Sequence, residues 1–225
     1  MLKTTKVTGF AVLFSSLSIS QNAFAHSPIK GIGFLFNGIL HPFFIPSHVL
    51  VILALGFYIG QQTGQQTEQQ AGQQKPQKHI VPVIPVLFFL GTMIVTFTFI
   101  AFYPQVTQFL GQKVTYNSSM VLLVFAILTG LLTLSTLRLA PAVLSLLCIL
   151  LAVALGLDSQ AEDLSGSAKV IALVGNVVGS YLMLLYAMAL SETLSVKKWQ
   201  QITIRILTSW ISAGAFMVLA LKLSQ

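Results

Sequence analysis

Long apolar runs, each close to the length of a bilayer crossing, dominate the chain and are separated by short polar, charged or proline-bearing interruptions. A spanning helix needs about 20 consecutive apolar residues. Runs of that size fall at approximately 33–60, 80–103, 118–137, 140–157, 168–191 and 201–223. They predict an all-α polytopic membrane bundle, a single domain over residues 26–225 with about six transmembrane helices. Ahead of them, Lys3 and Lys6 precede an apolar run from Val7 to Ile19 and then Ala23-Phe24-Ala25, the small-x-small pattern of a signal-peptidase site. Residues 1–25 are therefore read as a signal peptide, whose apolar core is short for a span. Cleavage would leave His26 as the mature N-terminus, outside the cytoplasm.

The first apolar run is interrupted by Pro42 and Pro46. Each removes a backbone donor and pushes the residue before it, His41 or Ile45, toward an extended conformation. This predicts a short leading helix or loop, a break, and a regular helix from about Ser47, capped by the Ser47 hydroxyl. Residues 61–79, rich in Gln and carrying Gly64, Gly72, Lys75, Pro76 and Lys78, read as a flexible polar loop. Gly175 and Gly179 form a G-x-x-x-G pattern around Asn176, which predicts close helix packing. Phe43, Phe44, Tyr58, Tyr103, Tyr116 and Trp199 are placed in an aromatic belt at the interfaces.

Composition removes the soluble classes. Of 225 residues, 55% are hydrophobic and 8% charged, and the mean hydropathy is +0.86, far from a soluble globular domain. The net charge of +7 comes from Lys and Arg scattered singly or in pairs between apolar runs. They act as topology signals, and no nucleic-acid partner is expected. With the mature N-terminus outside, Lys75, Lys78, Arg138, Lys197 and Lys198 fall inside, while Lys30, Lys113, Lys169 and Lys222 fall outside. This mild bias fits a bacterial inner membrane with a periplasmic N-terminus. The single cysteine, Cys148, rules out an intramolecular disulfide and a Cys-rich metal site. No G-x-x-x-x-G-K-[ST] motif for ATP is present; four histidines are too few for a di-metal oxidase and Ser47 beside His48 is only an adjacency, so the chain is not read as an enzyme.

The same topology collects the candidate chemistry at one end. His41 and His48 begin the first span from outside, and Asp158 and Glu162 end the fourth on that side. Asp158 and Glu162 share a face if their helix continues through both, whereas Asp163 reads as a solvated loop residue. On a straight helix His41 and His48 would stand about 10.5 Å apart along the axis, too far to share one ion at about 2 Å each. The proline break is what would fold His41 back toward His48, and irregular backbone at membrane depth is tolerated where it lines a cavity or ion site. Neutral imidazole suits nickel, cobalt, copper or zinc.

These residues resemble the HupE/UreJ family of small membrane proteins, which is associated with nickel uptake for hydrogenase and urease. The family's first motif, a His-Pro pair followed after a short gap by Asp-His, is similar to Phe36–Gly60: His41, Pro42 and His48 match, and Ser47 stands where the family has aspartate. The second motif, with two His-Gly pairs and a glutamate, aligns best with Leu155–Glu162. There Gly156 and Glu162 match, Leu155 and Ser159 replace both histidines, and Asp158 is a carboxylate that the motif lacks. The resemblance implies a permease for a divalent transition-metal ion, nickel first; its matches at His41, His48 and Glu162, joined by Asp158 from the topology, make the expected metal site. No permanently bound cofactor is expected, only the transported ion. The expected partners are that ion, the lipid bilayer, and either a second copy of the chain or proteins of metalloenzyme maturation. Two rival readings are a transporter of cobalt or copper and a non-transporting membrane scaffold.

Overall fold

The computed structural model describes residues 31–70, 83–159, 164–195 and 198–224. The expected signal peptide, His26, His79, Glu162 and Asp163 lie outside the described residues. Among those described, the chain is all-α with no strand: α1 (Gly33–Phe44), α2 (Pro46–Gln70), α3 (Val83–Phe102), α4 (Pro104–Ser135), α5 (Pro141–Asp158), α6 (Gly166–Leu194) and α7 (Lys198–Leu223). Helices α3 to α7 each contain a stretch long and apolar enough to cross a bilayer. The pair α1 and α2 meets that test only together, bent by 75°, which gives up to six spans.

The break falls at one place. Pro42 is buried inside α1 and His41 stays helical; the chain leaves the helix only at Ile45 (φ −99°, ψ 112°), the residue before Pro46. This corrects the expectation of an extended His41. The physical reason is that α1 docks lengthwise on α6, so packing offsets the donor lost at Pro42. The approach is close: a Cβ at Gly38 would run into the carbonyl of Ala172, and a Cβ at Gly175 or Gly179 would meet the backbone of Leu35 or Ile39. Small residues permit such backbone contact between helices in lipid. Helix α2 lies on α6 in the same way through Gly56 and Gly60, so α6 holds both arms of the bent pair.

Three further expectations change. Helix α2 continues to Gln70, so residues 61–70 are helical and not part of a flexible loop; Gln is a good helix former. Helix α4 begins at Pro104, although only Ser118–Ser135 has the apolarity of a span. Tyr58 is buried, and its hydroxyl donates to the Leu137 carbonyl (3.0 Å) and accepts from the Leu139 N–H (3.2 Å). It ties α2 to the α4–α5 turn and does not stand in the aromatic belt. Phe43, Phe44, Tyr103 and Trp199 are exposed.

Helix α3 packs on α5, and α4 contacts α2, α5 and α7. Ile52, Leu55, Phe89, Met93, Leu122 and Leu151 are among the fully buried side chains of the interior. Leu87, Val95, Leu131, Leu146 and Phe216 point outward, as they must where the surrounding medium is hydrocarbon. Several hydroxyls inside the spans bond to their own helices. Thr129, Thr133, Ser145 and Thr208 each donate to the carbonyl four residues back, which leaves none of these four hydroxyl protons bare in an apolar setting.

Candidate functional site

The site forms where the start of α2, the end of α5 and the start of the apolar part of α4 converge. Because α2 starts at Pro46, the carbonyl of Ile45 accepts from the N–H groups of His48 (3.0 Å) and Val49 (3.1 Å). Ser47 therefore sits in the first turn and not at the cap, and it is buried. The first turn of α2 drives His48 into the bundle, where it has no exposed surface.

The His48 ring reaches Asp158, the last residue of α5, with Nε2 at 2.9 Å from Oδ2. The other carboxylate oxygen, Oδ1, accepts from the Ser118 hydroxyl of α4 at 2.5 Å. The Lys222 ammonium, near the end of α7, donates to Ser119 and acts on the Asp158 carboxylate through its charge. One carboxylate thus gathers α2, α4 and α5, with α7 at its edge. Both of its oxygens are already engaged by the protein.

His41 comes to the same place from the other arm of the bend. Its ring meets the His48 ring edge-on, with centroids 5.6 Å apart and planes at 65°. The 75° bend at Ile45 achieves what a straight helix would prevent. Among the described residues, no three His, Cys, Asp or Glu side chains converge as a set of metal ligands. Helix α5 ends at Asp158, so the helical face that would have aligned Asp158 with Glu162 does not continue.

For a neutral His48 ring, the contact with Asp158 decides which nitrogen is available. A neutral imidazole that bonds a carboxylate through Nε2 carries its proton there, which leaves a lone pair on Nδ1. Nδ1 is buried and has no hydrogen-bond partner. It is a bare donor atom shielded from water, beside a second imidazole. Ser118, Ser119 and Lys222 were not foreseen as neighbours of this group. Lys222 had a signal in the sequence, a cation ending the last span on the side where Asp158 ends the fourth; Ser118 and Ser119 had none that separates them from other hydroxyls.

Nothing among the curated proteins or the solved structures matches the chain. The HupE / UreJ protein family does match, over residues 13–219. That stretch runs from ahead of α1 into α7 and takes in the whole His48–Asp158–Ser118 group, and so the chain is a multi-pass membrane protein that belongs to the HupE / UreJ family.

Proposed function

We propose that this protein is a permease that admits a divalent transition-metal ion, nickel first, from the periplasmic side of a bacterial inner membrane. The observation that carries the reading is the pair of imidazoles at the bend, with Nδ1 of His48 buried and unbonded. A dry nitrogen lone pair is a ready ligand for a borderline cation. The association of HupE/UreJ proteins with nickel uptake ranks nickel above cobalt and copper.

In this reading His41 and His48 replace part of the ion's hydration shell. Asp158 is a positioning residue: it holds the His48 Nε2–H, fixes the tautomer and leaves Nδ1 for the cargo, the usual arrangement behind a ligating histidine. Glu162, just past the end of α5, would collect cations at the mouth. Two nitrogens make a weak site, which suits an ion that must leave again, and an inside-negative membrane potential draws a cation inward.

The test is elemental analysis of a deletion strain carrying either the wild-type chain or the His41→Ala, His48→Ala double variant, across limiting nickel, cobalt and copper. Deletion should lower one metal, and only the wild type should restore it. Equal restoration by the double variant would remove the site, and no change in any metal would remove the permease.

A second reading, a non-transporting accessory protein, is favoured by one observation: both Asp158 oxygens are satisfied internally and no three-ligand set forms among the described residues. The His48–Asp158–Ser118 group would then only fasten helices together, and the partners would be proteins of metalloenzyme maturation. In the same experiment the histidine variants would lower the amount of folded protein and no metal would change.

A further inference from the structure

The last helix carries a cation that this site does not use. Arg205 lies in the spanning stretch of α7, seven residues after Lys198. It opens into a groove of about 350 Å³ lined by Leu134 of α4 and by Ile202, Ile206, Ser209 and Trp210 of α7. Its Nε is buried without a hydrogen-bond partner, and among the described residues no carboxylate pairs with it. A guanidinium among apolar side chains at membrane depth is costly unless an anion reaches it.

Depth decides which anion that is. A helix of 26 residues is about 39 Å long against a hydrocarbon core of about 30 Å, so about 4–5 Å at each end lies among headgroups. The Arg205 Cα, about 10.5 Å from the start of α7, is then about 6 Å inside the core boundary. Its side chain leans toward the helix N-terminus and can extend back to the level of the lipid phosphates. Along the groove Ile202 is 57% exposed, Ile206 48% and Trp210 70%. These present a continuous apolar surface leading away from the charge.

We infer that this groove holds one anionic phospholipid, with its phosphate on the Arg205 guanidinium and an acyl chain along Ile202, Ile206 and Trp210. The planar fork of Arg matches phosphate oxygens two at a time, and the groove lies on the exposed face of α7 in its spanning stretch. The inference is independent of the transport reading. Under the topology proposed above, the groove opens to the cytoplasmic leaflet, where anionic lipids attract basic groups.

The test is native mass spectrometry of the purified full chain with phosphatidylglycerol or phosphatidylcholine, together with hydrogen exchange of the wild type. One phosphatidylglycerol per chain should remain bound, and Arg205→Gln should weaken it about tenfold, while Arg138→Gln, a cation in the α4–α5 turn, should not. Exchange across residues 199–210 of the wild type should slow with phosphatidylglycerol and not with phosphatidylcholine, a readout that does not depend on any variant folding. Equal retention by Arg205→Gln, equal protection by both lipids, displacement by inorganic phosphate, or a dimer in place of a lipid adduct would each overturn the assignment.

Discussion

Asp158 offers a substitution that separates holding the fold from binding a cargo. Replacing it with Ala leaves the His48 Nε2–H and the Ser118 hydroxyl without acceptors, in places where His48 is 0% and Ser118 4% exposed. An orphaned buried donor costs about 1–3 kcal/mol, so the pair should cost about 2–6 kcal/mol. At about 2–4 °C per kcal/mol for a chain of this size, thermal unfolding in detergent should begin about 4–24 °C lower. Asp158→Asn should behave differently. The amide oxygen still accepts from Ser118, and its NH2 can donate to His48 once the imidazole proton moves from Nε2 to Nδ1. The network survives, with a loss of about 1 kcal/mol, but Nδ1 no longer offers a lone pair. The melting point should therefore stay near wild type while metal accumulation in the deletion strain falls toward that of the His48→Ala chain. If Asp158→Asn accumulates metal as the wild type does, Nδ1 is not the ligand and the positioning role assigned to Asp158 is wrong. If Asp158→Ala melts with the wild type, the buried network does not support the fold.

Other substitutions probe the frame around the site. Gly38→Ala places a methyl against the Ala172 carbonyl and should destabilise the α1–α6 contact by about 1–3 kcal/mol, seen as a lower melting temperature; an unchanged one would mean the two helices are not in backbone contact. Tyr58→Phe removes two hydrogen bonds to the α4–α5 turn and should lower stability by about 1–2 kcal/mol, with faster hydrogen exchange at Leu139 as the local readout. Lys222→Gln takes a positive charge from beside Asp158; under the permease reading an incoming cation then meets less repulsion, and accumulation at limiting metal should rise. A fall would mean that Lys222 supports the site.

The membrane fold could be read from hydropathy because runs near 20 apolar residues leave few alternatives to spanning helices. What hydropathy missed was where packing competes with local chemistry. Pro42 reads as a break, yet α1 passes through it because Gly38, Gly175 and Gly179 let α1 lie flat on α6. Residues 61–70 read as loop because they are polar, although Gln sustains a helix started by the apolar residues before it. Tyr58 reads as an interface residue because its ring is amphipathic, and its buried hydroxyl partners are backbone atoms about 80 positions away, which no local pattern announces. At the site, the meeting of His48 with Asp158 followed from topology, whereas the third partner, Ser118, follows only from the way α4 packs. Asp158 reads as a ligand from its place at the end of the fourth span, and the partners its two oxygens take, His48 and Ser118, are what local pattern does not announce.

The grip of α6 on both arms of the bent pair bears on how the protein is made. Its contacts with α1 and α2 join residues far apart in sequence; the Ser191 hydroxyl on the Phe57 carbonyl closes a separation of 134 residues. At a synthesis rate of about 5–20 residues per second, the first pair waits about 7–27 s before that partner emerges. During that interval the glycine faces of α1 and α2 and the bend at Ile45 have nothing to seat against. Insertion of the amino-terminal helices and assembly of the histidine pair are therefore separate events in time, and the second awaits near-complete translation. Chains truncated before α6 should reach the membrane with their first helices inserted but without the His41–His48 juxtaposition.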